Sequence, residues 1–187
     1  MLKYKIINFD EKNRGQIYLD FINYKDINLI RVWRNKQTSI LRQSNIIKKR
    51  NQINYFRTRV EEELKNKKPN LILLAIKNNK DTIGYCGFVN ISWNDKRAEI
   101  SFLLNHKLKH HSKEYESIMI IVFKKLFKLG FGNLKLKKIF TETFIKRKKH
   151  INIIKKLGML QEGLLKKQYF KSGKYIDSVI HAKFKEI

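Results

Sequence analysis

The chain of 187 residues holds one cysteine, Cys86, and one proline, Pro69. A single thiol excludes an intramolecular disulfide and a thiolate zinc cluster, since each needs at least two. No stretch approaches the roughly 18 consecutive apolar residues of a helical membrane span. The opening MLKYKIINFDEK carries no long apolar segment and no small-residue cleavage site. An export signal is therefore not expected, and the protein reads as cytoplasmic. Acidic residues are scarce too, 16 against 42 Lys plus Arg, which gives a formal charge of +26.

That charge has two readings. A strongly basic chain has the electrostatic footprint of a nucleic-acid binder. Here, however, Lys far outnumbers Arg, basic residues occur in every segment, and Ile and Asn are abundant. The mixture reads as compositional bias, with nucleic acid the less favoured partner, although phosphates and acidic ligands would still be drawn to the surface. A hydrophobic content of 42% is enough for one core, and no linker or repeat divides residues 1–187.

The order of elements is more specific. Residues 16–22 read as a strand, and Asp26 as the cap of a helix running to about Asn35. A second helix fits 48–66, stopped by the Lys-Pro-Asn turn at 68–70. Strands follow at 71–76, 82–92 and 98–104. Apolar residues at helical spacing predict a helix over 114–129, closed by Gly130 and Gly132. A strand at 138–144, a helix at 146–157 and a hairpin of 163–170 with 175–184 complete the chain. Antiparallel strands thus precede a β-α-β-α-β crossover, which implies a mixed α/β sheet with helices on both faces and no doubly wound core.

This order, with four short motifs, resembles the GNAT (Gcn5-related) N-acetyltransferases over roughly residues 16–184. IGYCGFVNISWNDKRAEISFLL (83–104) looks like the family's hairpin whose second strand splays from its neighbour to hold acetyl-CoA. Gly158-Met159 and Glu162-Gly163 match the punctuation after the last helix. GKYIDSVIHA (173–182) is similar to the closing strand, and Arg31-Val32-Trp33-Arg34-Asn35 to an R-x-W-R-N first helix. That helix occurs in members acting on amino-sugar nucleotides or ribosomal-protein N-termini. The resemblance implies a mostly antiparallel sheet of about seven strands and acetyl-CoA as co-substrate. It places the co-substrate against Phe102, Leu103 and Leu104, against the turn from His111 through Ser112, Lys113, Glu114, Tyr115 and Glu116 to Ser117, and against Arg147.

The turn departs from the family. Its usual R/Q-x-x-G-x-G/A brings backbone N–H groups to a pyrophosphate at a helix N-terminus. Here both glycine positions are Glu, and the Arg/Gln position is His111. Acidic side chains suit a helix's first turn but repel phosphate. Lys107, Lys109, His110 and Lys113 stand nearby to offset them, so the expectation is CoA binding in a modified way.

Acetyl transfer to an amine needs a base for the amine and an acid or cation for the departing thiolate. Glu99 is the expected base: alternation sets Glu99 and Ser101 opposite Ala98, Ile100 and Phe102. Its structural alternative is a pairing with Arg97 or a cross-strand Lys. For the acid, the family's tyrosine position is Ile154. His150, one helical turn earlier, and Tyr169 in the last hairpin are the candidates. Arg31 and Arg34 share a helix face and, with Arg42 and Gln43, could grip an anionic acceptor, with Trp33 stacking on it or packing in the core. Cys86, among apolar strand neighbours, reads as a small buried hydrophobe. No metal site is expected. Two functions follow: an N-acetyltransferase, acting on an amino-sugar or nucleotide-linked amine before a protein N-terminus, and a non-catalytic protein of the same fold binding RNA or a ribosomal partner. Oligomerisation is expected to stop at a monomer or homodimer.

Overall fold

A computed structural model describes residues 2–9 and 15–186. Its elements run β1 (Ile17–Phe21), α1 (Tyr24–Lys36), α2 (Lys49–Tyr55), α3 (Glu61–Leu64), β2 (Ile72–Asn78), β3 (Asp81–Ser92), β4 (Arg97–Leu104), α4 (Lys113–Phe127), β5 (Lys138–Phe144), α5 (Lys148–Lys156), β6 (Leu160–Lys171) and β7 (Lys174–Phe184). A π-turn at Phe56–Val60 joins α2 to α3, so the 48–66 helix exists as one bulged rod. One detail is corrected: Asn23, not Asp26, stands at the head of α1. Asp26 is at its third position, reaching back to the Asn23 amide (2.9 Å) while also meeting Thr82 Oγ1 (2.7 Å) and Lys77 (3.7 Å). A short side chain fully committed to neighbours inside the first turn cannot serve as the cap.

The seven strands form one sheet in the order β1-β2-β3-β4-β5-β7-β6. Every pairing is antiparallel except β4 with β5, which is parallel and extends over only Arg97–Glu99 against Lys138–Phe140. Beyond Glu99 the two strands part. The facing edges of Ile100–Leu104 and Thr141–Phe144 are left without a ladder partner on that side, which is the feature that positions the site.

Strand alternation distributes side chains to two cores. Ala98, Ile100 and Leu104 join the larger one, beneath α4 and α5. Leu103 joins the smaller, with Tyr85, Leu73, Trp33, Ile30 and Phe56. Backbone packing is tight where β3 crosses β2: a Cβ on Gly87 would lie 1.9 Å from the Ile72 carbonyl oxygen, and its φ of +145° is one that side chains avoid. Cys86 is buried, and burial pushes its thiol pKa up, so it is a core residue and no nucleophile.

Candidate active site

The parting of β4 and β5 leaves a gap in the sheet, with a cavity on either side of it. A front cavity of about 470 Å³ lies against α1, α2, β3 and β4. A narrow throat of about 80 Å³ occupies the gap itself, and a rear cavity of about 360 Å³ lies beside the start of α5. Front and throat share Leu41, Arg42, Ser101 and Phe102; throat and rear share Ile40, Arg147 and His150. The three cavities therefore adjoin one another across shared side chains.

Glu99 projects into the throat from the last paired position of β4, only 3% exposed. A carboxylate so deep needs partners. Asn90 Nδ2 donates to it (2.8 Å), and the Arg42 guanidinium forms a close, two-pronged ion pair with it. Asn90 reaches it through a bulge: the β3–β4 register breaks between Val89 and Ser92, and Asn90 takes φ +51°, a conformation asparagine tolerates. The expected partners of Glu99 are therefore corrected. Arg97 turns to Asp95 (3.5 Å), and the cation comes from the loop after α1.

Arg42 also meets a second carboxylate, Glu142 on β5 (3.2 Å), which accepts from Ser178 Oγ (2.6 Å). The guanidinium thus spans the gap between the parted strands. Burial opposes its charge, but Glu99 outweighs this and holds its pKa above the ordinary value. Tyr169 interacts with Arg42 and Glu142; burial and Glu142 raise its pKa, so it stays a phenol. The loop bearing Arg42 is fastened by Lys171, whose Nζ donates to the carbonyls of Thr38 (2.7 Å), Leu41 (2.6 Å) and Gln43 (2.6 Å). All three ammonium hydrogens are engaged. Lys171→Met should cost about 1–3 kcal/mol and speed amide exchange in residues 38–43 before the rest of the chain. Uniform exchange across the variant would show that the loop does not depend on this staple.

Sequence reasoning missed Asn90, Glu142, Ser178 and Lys171. The other expected acceptor residues separate. Arg34 lines the front cavity, donating to Tyr85 OH (2.7 Å) and Gln43 Oε1 (3.0 Å). Gln43 lines it too. Arg31 is not in that wall; it binds Asn28 (3.0 Å) and the Ile47 carbonyl (3.4 Å). Trp33 is 3% exposed within the smaller core and presents no face to a ligand. Arg42, expected to grip an anion, is already neutralised by two carboxylates.

The rear cavity is cationic, walled by Lys146, Arg147, Lys148 and Lys149 with His110 and His111. Beside it α4 starts, capped by Ser112, whose Oγ accepts from the Tyr115 amide (3.1 Å). The amides of Lys113 and Glu114, in the first turn, have no intrahelical acceptor. Glu116 turns away to α5, paired with Lys156 (2.8 Å) and Lys149 (3.3 Å), and those hydrogen bonds lower its pKa. The expected repulsion is thus cancelled at one of its two sources. His111, Lys113, Glu114 and Ser117 are exposed; Leu103 and Leu104 point into the cores, while Phe102 lines both throat and front cavity. Open strand edges, a helix N-terminus and a cationic wall fit a CoA-type co-substrate at the rear.

His150 is buried, not on the helix surface. Its Nδ1 lies 3.1 Å from Tyr115 OH and 3.2 Å from Arg147 Nη2, and Arg147 also donates to that hydroxyl (3.3 Å). Burial first, then Arg147, His110 and His181, hold the imidazole pKa well below its ordinary value. The ring is neutral at pH 7.

A parted mixed sheet, with a buried carboxylate in the gap and a cationic cavity behind it, has the form of an acyl-transfer site. The model of the acetyltransferase (GNAT) domain matches residues 19–180, and the chain belongs to that family. It is an acetyl-CoA-dependent N-acetyltransferase. Among solved structures it is similar to spermidine N-acetyltransferase from Vibrio cholerae in complex with CoA and spermine, with a TM-score of 0.80 and 16% identity over 91% of this chain and 96% of that one. It is also similar to a dodecameric form of the V. cholerae enzyme (TM-score 0.75, 16% identity, 91% and 95% covered). Likeness at that identity concerns the fold. No curated protein matches in sequence. Among the described residues, no helix is long and apolar enough to cross a membrane.

Proposed function

We propose that the acceptor is a primary amine carrying an anionic group, such as an amino-sugar phosphate or nucleotide. One observation carries this: among the described residues, the front cavity is walled by Arg34 and Arg42 and by no Asp or Glu. Arg42 is paired, but among the described residues Arg34 has only neutral partners, Gln43 and Tyr85. Its planar fork suits phosphate or carboxylate. The Tyr55 and Tyr85 walls suit a sugar or base. A polycation such as spermidine would meet an uncompensated arginine there, so the neighbours' substrate is not carried over. In this reading Glu99 takes the amine's proton, and Asn90 and Arg42 orient its carboxylate.

The test is a panel of acceptors: glucosamine 6-phosphate, a UDP-linked amino sugar, a peptide with a free N-terminus, and spermidine. Transfer should favour the two anionic amines. Arg34→Met should raise their KM by roughly tenfold with little change in kcat, as loss of uniform binding does. A preference for spermidine, or an Arg34→Met variant unchanged in KM, would overturn the assignment. Preference for the peptide would move the acceptor class to protein N-termini.

A further inference from the structure

The site has an evident base and no evident acid. Ile154, at the position where the family resemblance places a tyrosine, is fully buried and carries no proton. The departing sulfur must obtain one elsewhere or leave as a bare anion. We propose, resting on the transferase reading, that His150 is the catalytic acid and that Tyr115 and Arg147 are positioning residues that wire its ring as a proton relay.

The wiring follows from donor counting. A guanidinium has no acceptor, so Arg147 Nη2 donates to His150 Nδ1 at 3.2 Å. Tyr115 OH, itself receiving a hydrogen bond from Arg147, directs its own hydrogen to the same nitrogen at 3.1 Å. With two donors converging on Nδ1, the neutral ring carries its hydrogen on Nε2. That nitrogen has no protein partner among the described residues, and the ring forms wall common to the throat and the rear cavity. The protein thus offers an uncommitted N–H donor where the two compartments meet.

The steps balance. As the carbon–sulfur bond breaks, its electron pair goes to sulfur, and His150 Nε2 gives sulfur a proton. Nδ1 takes the Tyr115 hydroxyl proton in the same event, so the ring finishes neutral with its hydrogen on the other nitrogen. The phenolate left at Tyr115 faces the Arg147 guanidinium 3.3 Å away. The amine's proton passes to Glu99 and on to solvent; solvent returns one to His150 Nε2 while Nδ1 gives its own back to the Tyr115 phenolate, which restores the starting tautomer. The imidazole never becomes a cation, which matters because Arg147, His110 and His181 all face it and oppose positive charge. An ordinary imidazolium acid would have to form beside a guanidinium in a buried site.

Two measurements test the relay. In the full-length ligand-free protein, ¹⁵N NMR should show His150 with bare Nδ1 and protonated Nε2 from about pH 5.5 to 8. An imidazolium in that range, or the opposite tautomer, would overturn the proposal. In turnover, with the best acceptor of the panel above, His150→Gln should lose about 10²-fold and Tyr115→Phe of order tenfold in kcat, with KM for acetyl-CoA held. The deciding comparison replaces acetyl-CoA by the acetyl thioester of p-nitrothiophenol, whose thiolate leaves without a proton. Both deficits should then shrink to within about twofold of the wild type. Equal deficits with both donors would make the cluster merely structural. Should His150→Gln fold poorly, Tyr115→Phe, which removes one oxygen, carries the comparison. A wild type that acetylates no amine overturns the transferase reading together with the relay. A wild type that turns over while the variants lose equally with both donors overturns the relay alone.

Discussion

Glu99→Gln should lower turnover by roughly 10²–10⁴-fold, the range expected when a general base is removed, and leave acetyl-CoA affinity nearly unchanged. The substitution keeps shape and one acceptor oxygen; at the Oε2 position that oxygen still accepts from Asn90 Nδ2 and Arg42 Nη1, and only the contact between Arg42 Nη2 and Oε1 is given up. The cationic rear cavity, proposed for the co-substrate, is walled by Lys146 to Lys149, does not include Glu99, and is untouched. Steady-state kinetics with isothermal titration of acetyl-CoA separates the two effects. Wild-type rates across the pH range would remove Glu99 from the mechanism.

Arg42→Met should be the more damaging change for stability. It leaves Glu99, 3% exposed, and the nearly buried Glu142 facing each other across the gap with no shared cation. Removing one member of a buried pair typically costs 3–5 kcal/mol; because the Arg42 side chain is 41% exposed and water can reach the site, the lower end, about 3 kcal/mol, applies. For a chain of this length that lowers the melting temperature by roughly 6–12 °C. Adding Glu142→Gln to Arg42→Met should restore about half the loss, because one of the two stranded charges is gone. Urea denaturation of the single and double variants decides it. Equal stability of Arg42→Met and wild type would mean that solvent already carries the carboxylates.

These two side chains also show what could be read in the sequence. Alternation in β4 placed Glu99 opposite Ala98 and Ile100, and the two cores confirm that division of faces. β5 fell where its pattern put it, at Lys138–Phe144. Arg42 sits in a loop with no periodicity, and its partners lie 57 and 100 residues away, so no local pattern announces it. Glu142, between two threonines, reads like any solvent-facing strand residue until a guanidinium is set beside it. Lys171 is one of 42 basic residues, and nothing distinguishes a staple from a solvated lysine before three carbonyls converge on it. β6 begins at Leu160, earlier than expected, because it is an edge strand whose exposed residues need no apolar alternation. Nothing local announces that His150 is buried: the tyrosine and arginine that contact it come from α4 and from the residue preceding α5.

The three-residue contact between β4 and β5 divides the chain into two ladders that are each contiguous in sequence, residues 17–104 and 138–184. Between them the sheet is joined chiefly by side chains, through the core beneath α4 that draws on both ladders. Widening the gap therefore breaks few backbone hydrogen bonds, because most of those that would cross it were never formed. The molecule is built as two stiff plates on an oily bearing. Arg42, reaching a carboxylate on each plate, is the latch across the throat.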